Sequence, residues 1–183
     1  MVVGPPLIDT LRGLGLDEDA AQRALAAYFE RYDERGWAEN TAFDGIESVL
    51  TRLQDRGVRL GVATSKSERF AVRILDHFGL SRYFEFIGGA SNDGARRAKS
   101  DVIAHSLTNL GIDPVESVDG GTAGVIMIGD RDHDVHGAAR FGIPTVYVEW
   151  GYGVDGESDD AAFTASSMDE LATVLEQNTA AVL

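Results

Sequence analysis

Short apolar runs alternate along this chain with longer stretches whose apolar residues recur at helical spacing. Over residues 17–36 the recurring positions are Ala21, Ala24, Leu25, Tyr28, Phe29 and Tyr32, with Asp17 suited to an N-cap and Gly36 to a left-handed C-cap. Residues 44–57 repeat the pattern with Ile46, Val49, Leu50 and Leu53, between Asp44 as cap and Gly57 as stop. The apolar run 58–63 then predicts a buried strand ending at Thr64-Ser65-Lys66. Ser67 opens a helix with Phe70, Ile74, Leu75 and Phe78 on one face and Gly79 behind it. Residues 83–87 predict a strand, and Ser100 caps a helix bearing Val102, Ile103, Ser106, Leu107 and Leu110, closed by Gly111. The most apolar strand is 125–128, followed by a short helix ending near Gly142, a strand at 145–148 and a last helix over about 168–177. The intervening loop, 149–166, is rich in Gly, Asp, Glu and Ser and is expected to be solvated.

From residue 44 onward helices and strands alternate, which predicts a parallel sheet covered on both faces: a three-layer, Rossmann-like α/β core over residues 41–183. Residues 1–40 read as helical only and as a separate segment.

Charge narrows the partners. The formal charge is −14, and the short cluster Arg96-Arg97-Ala98-Lys99 is not extended by its neighbours, so nucleic acid and anionic membrane are excluded as partners. The chain has no cysteine, which rules out disulfides, thiolate metal sites and a cysteine nucleophile, and fits a reducing compartment. No stretch approaches the roughly 20 apolar residues of a membrane helix. The first residues lack the basic and apolar regions of a signal peptide, so the expected location is cytoplasmic.

The chemistry concentrates where the apolar strand 125–128 meets Gly129-Asp130-Arg131-Asp132-His133-Asp134. The carboxyl ends of parallel strands form the crevice in which ligands bind. Asp130 and Asp134, one helical turn apart, are there candidates for holding a hard cation such as magnesium, which prefers oxygen ligands. Capping of the following helix would explain one of these acids; three within so short a run repel one another unless a cation is present. His133 and His136 share a helix face and leave a zinc site open as a rival. Thr64, at a strand-to-turn junction, can bond a phosphate oxygen through its hydroxyl together with following N–H groups such as that of Ser65, or can merely cap the turn. Lys99 can neutralise a phosphoryl group or can be an ordinary solvated lysine.

Taken in order, Leu60 to Lys66, Ala98 to Ile103 and Ile128 to Asp134 resemble three motifs of the haloacid dehalogenase superfamily, and the chain is most similar to its phosphoglycolate-phosphatase-like branch with a helical cap. Val3-Gly4-Pro5-Pro6-Leu7 is similar to that branch's entry into the cap. The resemblance implies a helical cap fragment at 1–40 and an incomplete core at 41–183. It implies a magnesium-dependent phosphomonoester hydrolase of small phosphorylated metabolites that acts through an aspartyl-phosphate. In that scheme Thr64, Ser65 and Lys99 bind the phosphoryl group, and Asp130 and Asp134 bind Mg2+. The nucleophile and general acid of the family lie in an Asp-x-Asp-Gly-Thr run after the first strand, and no such run is found in these residues. Val118-Asp119-Gly120-Gly121-Thr122 imitates part of it, but carries one Asp and follows a polar segment, so it reads as a loop. The 183 residues are therefore expected to be inactive by themselves; the alternative is a truncated, non-catalytic paralogue that binds phosphate, magnesium or a partner protein. Lacking the family's first strand, the core is further expected to have two buried strand edges left unpaired, unless its halves close up and pair directly.

Overall fold

The computed structural model describes residues 7–91, 95–178 and 181–183; Val3, Gly4, Pro5 and Pro6 of the cap-entry resemblance lie outside them. The chain divides into two compact units, residues 1–41 and 42–183. In the first, α1 (Leu7–Gly13) and α2 (Glu18–Glu34) precede one 3-10 turn, Gly36–Ala38, which contains Trp37. α2 begins as its sequence predicts, with the Asp17 carboxylate accepting the Ala20 N–H at 2.8 Å and so satisfying a donor that the first turn leaves over. Its end differs from expectation. Gly36 does not adopt a positive φ; the helix ends at Arg35, and Gly36 opens the 3-10 turn. The position is tight instead: a Cβ there would lie 3.0 Å from Tyr32 Cδ2, so the ring would have to shift slightly to admit one.

The second unit runs α3 (Ile46–Asp55), β1 (Arg59–Ser67), α4 (Glu68–His77), β2 (Phe86–Ala90), α5 (Lys99–Asn109), β3 (Val125–Gly129), α6 (Asp132–Ala139), β4 (Thr145–Val148), β5 (Phe163–Ala165), α7 (Met168–Asn178) and β6 (Ala181–Val182). Its sheet has the order β2-β1-β6-β3-β4-β5, and every pairing is parallel. Successive side chains of a strand point to opposite faces, and the core divides accordingly. Leu60, Ile126 and Val146 pack with Val49, Leu50 and Leu53 of α3 and Leu171 and Leu175 of α7. Ala63, Val125 and Met127 pack on the other face with Val102, Ile103 and Leu107 of α5 and Ala138 of α6. These are the two helix layers of a Rossmann-like α/β fold.

Details at element ends depart from the sequence reading. α3 is capped by Gly45 at φ +85°, and Asp44 precedes it in a turn. α5 starts at Lys99 behind Ala98, so Ser100 lies within its first turn. The strand expected at 83–87 begins only at Phe86, after a 3-10 turn at Ser81–Tyr83. The loop expected to be solvated contains β5, which extends the sheet beyond β4, and its Trp150 is packed on the core shared by α3 and α7.

The largest departure is at the centre of the sheet. At their amino ends the edges of β1 and β3 are neither bare nor paired with each other. β6 lies between them, with Ala181 opposite Arg59 and Val125, and Val182 opposite Leu60 and Ile126. The Leu183 N–H donates to Ile126 O and the Ile128 N–H to Leu183 O, each at 3.0 Å, while the Leu183 side chain is buried against the α5 face. Unmade backbone hydrogen bonds in a dry interior are costly enough, at about 1–3 kcal/mol per group, to draw even this short strand into the gap.

Candidate functional site

Beyond β6 the two flanking strands continue without a neighbour between them, and a cavity of about 300 Å³ opens there. Gly61 to Thr64 of β1 and Met127 to Asp130 at the end of β3 form two of its walls. Ile46, Leu50, Leu53 and Leu171 form the apolar floor, and Lys99 and Asp134 close the polar end. Four of the five expected site residues, Thr64, Lys99, Asp130 and Asp134, thus meet at one cavity at the carboxyl ends of parallel strands. Ser65 is exposed and is not among the lining residues.

Asp134 is buried, at 4% exposure, and both its oxygens are engaged. Oδ2 accepts the N–H groups of Asp130 at 3.1 Å and Arg131 at 3.2 Å, which ties down the β3–α6 turn, with Arg131 at the N-cap position. The N-cap position, which either Asp130 or Asp132 could have taken as the alternative to holding a cation, is occupied by Arg131. Asp134 Oδ1 stands 2.6 Å from Lys99 Nζ, an ion pair by distance whose angles fall short of hydrogen-bond geometry. The same ammonium donates to Ala63 O at 2.5 Å. Lys99 therefore links β1 to the acidic turn and is no solvated lysine. Two glycines make this possible: a Cβ at Gly129 would lie 2.3 Å from Asp134 Cβ, and one at Gly137 would lie 2.9 Å from Lys99 Cγ.

Asp130 is held from the other side by a strap that its sequence did not announce. The Tyr152 N–H donates to Asp130 Oδ2 at 2.7 Å, and the glycines flanking Tyr152 leave room for the contact: a Cβ at Gly151 would lie 2.2 Å from Asp130 Cβ, and one at Gly153 would overlap Tyr147 Oη. The strap is anchored where Glu157 accepts from Arg131 at 2.8 and 3.0 Å and from the Asp132 N–H at 3.3 Å. The Arg131 guanidinium holds the Glu157 carboxyl below its ordinary range, and Glu157 in turn raises Arg131. Burial, followed by the charges of Glu157 and Asp130, pushes the Tyr147 phenol up. The available signal was the Gly-Tyr-Gly spacing, in which glycines alternate with an aromatic residue directly after a buried strand.

Thr64 caps its own turn: its Oγ1 accepts the Lys66 N–H at 3.2 Å, just where the β1–β2 register shifts. Asp119 is exposed in a 3-10 turn leading into the amino end of β3, opposite the end that carries Asp130. His136 pairs with Asp160 at 3.1 Å on the surface, while His133 lies against Asp132 and Asp134, so the two imidazoles do not converge. Among the described residues no group of three or more His, Cys, Asp or Glu side chains is arranged to hold a metal ion. The donor set nevertheless fits a hard cation in part. Asp130 lines the cavity with an Oδ1 that has no hydrogen-bond partner among the described residues, whereas Asp134 is already committed to Lys99 and to the turn. Nor, among the described residues, is any helix long and apolar enough to cross a membrane.

Comparison with known proteins agrees with the fold. The chain is 48% identical over 178 residues to the Mycobacterium tuberculosis tyrosine-protein kinase PtkA, covering 95% of this chain and spanning 58% of that relative's length. It is 39% identical over 156 residues to a Pseudomonas aeruginosa 5'-nucleotidase, covering 85% of this chain and 67% of the relative. A crystal structure of a predicted phosphatase from Clostridium acetobutylicum superposes with a TM-score of 0.79 at 37% identity, covering 95% of this chain and 78% of that one. The profile that matches residues 1–148 describes the haloacid dehalogenase-like hydrolases, and to that family this chain belongs.

Proposed function

We propose that these residues form the phosphate- and metal-binding part of a magnesium-dependent phosphomonoester hydrolase acting on small phosphorylated metabolites. The observation that carries this reading is the meeting of Thr64, Lys99, Asp130 and Asp134 at one cavity at the carboxyl ends of parallel strands. Lys99, freed from part of its contact with Asp134, neutralises the phosphoryl oxygens, and the Thr64 turn donates hydrogen bonds to them. Asp130 holds Mg2+, and Asp134 orients the turn that presents Asp130. The bound ion would supply charge neutralisation on the transferring group. The phosphoryl acceptor is an aspartate of the family's Asp-x-Asp motif, forming an aspartyl-phosphate that water then hydrolyses; a second aspartate protonates the leaving oxygen. The 183 residues contain no Asp-x-Asp-Gly-Thr run and by themselves turn over no substrate. Residues 1–40 are a fragment of the cap that selects the substrate, and the protein works in the cytoplasm.

The relatives support this reading through the 5'-nucleotidase and the phosphatase structure. The mycobacterial relative favours a second one, transfer of a phosphoryl group to protein tyrosine. One comparison tests both: full-length protein containing these residues, assayed with magnesium on a panel of phosphomonoesters and, separately, with ATP and a protein acceptor. Phosphomonoester turnover that disappears in Asp130→Asn and falls at least tenfold in Lys99→Met is the expected result. Turnover indifferent to both substitutions would sink the proposal, and labelling of tyrosine without hydrolysis would favour the second reading.

A further inference from the structure

Three successive N–H groups of the β3–α6 turn donate to carboxylates: those of Asp130 and Arg131 to Asp134, and that of Asp132 to Glu157. These bonds fix the backbone that carries Asp130. They do not fix its side chain, which could still exchange between staggered positions about the Cα–Cβ bond. That rotation is stopped from outside the turn, where the Tyr152 N–H donates to Oδ2 at 2.7 Å. Oδ1 is left without a hydrogen-bond partner among the described residues, on a side chain that lines the cavity.

Tyr152 cannot hold this position unaided. It stands between Gly151 and Gly153, and glycine loses more conformational freedom on ordering than any other residue. The strap is anchored on either side of that weak stretch. Trp150 packs on the core before it, and Glu157 takes a two-pronged bond from Arg131 after it, Nε to Oε2 at 2.8 Å and Nη2 to Oε1 at 3.0 Å. A planar guanidinium matches this fork and an ammonium does not. The pair is also shielded, with side chains 22% and 12% exposed, whereas the His136–Asp160 pair farther along the loop is open to solvent and contributes little.

We infer that Glu157 is a positioning residue for Asp130: through Arg131 and the strap it locks the Asp130 carboxylate in one rotamer, with Oδ2 covered and Oδ1 free to take a cation. The inference rests on the reading of Asp130 as the cation ligand, and it adds to that reading a determinant from a separate loop. A carboxylate already held in place has no rotamer freedom left to lose when the ion arrives, and partners that orient a ligand in this way are worth about 10–100-fold in metal affinity.

Two measurements test this, the first without metal. In the 183-residue chain the three-bond couplings from Asp130 Cγ to its backbone nitrogen and carbonyl carbon report the rotamer by NMR. Wild type is expected to show a single rotamer and Glu157→Gln averaged couplings. The Tyr152 N–H is expected to lose hydrogen-exchange protection by about tenfold or more in that variant, while the Met127 N–H, bonded to Pro144 O, keeps its own. Arg131→Lys is expected to repeat the effect. Glu116→Gln, which breaks the exposed pair with Arg140, is the control and is expected to change nothing. Averaged couplings in wild type, or a single rotamer in Glu157→Gln, would overturn the inference. In the second measurement, on full-length protein containing these residues, Glu157→Gln is expected to raise the magnesium concentration for half-maximal phosphomonoester turnover by about tenfold or more, without a comparable fall in kcat at saturating magnesium. A fall in kcat at unchanged half-saturation would show that Glu157 only supports the fold. A wild type without magnesium-dependent turnover would instead remove the phosphatase reading, and the couplings would then decide the positioning by themselves.

Discussion

Lys99 and Asp134 form a buried ion pair, with side chains only 9% and 6% exposed, but they are not equal partners. Without Asp134, the Asp130 and Arg131 N–H groups lose their acceptor and the Lys99 ammonium loses its counter-charge, keeping only its hydrogen bond to Ala63 O. Without Lys99, the Asp134 carboxylate keeps two backbone donors. Breaking a buried pair costs about 3–5 kcal/mol when a charge is left uncompensated. Asp134→Ala is therefore expected to cost that much, and Lys99→Met clearly less, as measured by denaturant unfolding; equal losses would mean that the backbone donors contribute nothing. Asp130 leads to a second expectation. With a single open carboxylate oxygen among the described residues, it can replace little of the water around magnesium, an ion that dehydrates reluctantly. Calorimetric titration of these 183 residues is expected to show binding no tighter than millimolar, of the order expected for one surface carboxylate. Micromolar binding abolished by Asp130→Ala would show that the site is self-sufficient.

Among the elements, the strap at residues 150–157 is one whose stability responds to acid. Glu157 has its carboxyl lowered below the ordinary 4.5 chiefly by the hydrogen bond from Arg131, so the folded state holds that proton less tightly than the unfolded chain does. The resulting stability is present in full above the ordinary value and is lost as the pH falls from there through the lower folded value. Wild type and Glu157→Gln are expected to differ most near neutral pH and to converge in acid; a gap that persists or widens below pH 4.5 would contradict this assignment. The strap also shows where sequence reading stopped. The helices and buried strands were legible because each states its face in its own residues, as Val49, Leu50 and Leu53 do for α3 and residues 125–128 do for β3. Asp130 was legible as a group at a strand end. The strap was not, because its holding contacts are a backbone N–H at Tyr152 and a charge pair spanning 131 to 157, neither of which leaves a periodic mark. β6 was missed for a related reason. It is too short for alternation to register, and its place is set by the unpaired edges of two other strands.

At the scale of the whole molecule the governing quantity is the charge of −14. Ion pairs such as Arg59 with Glu85 and Arg140 with Glu116 are exposed and contribute little each, so the surplus of carboxylates repels itself largely uncompensated. Salt screens such repulsion over a Debye length of about 10 Å at 0.1 M. The melting temperature is therefore expected to rise by a few degrees between low salt and about 0.5 M sodium chloride. A fall would mean that local pairs such as Arg131–Glu157 outweigh the net charge.

The chain contains two tryptophans, and they fall in different compact units: Trp37 in the 3-10 turn after α2, and Trp150 where the strap leaves β4 against the core. Nature has thereby labelled each unit with one fluorophore. The emission of Trp37→Phe reports on residues 42–183 alone and that of Trp150→Phe on residues 1–41, so whether the two units melt in one step or two can be read optically without attaching a dye.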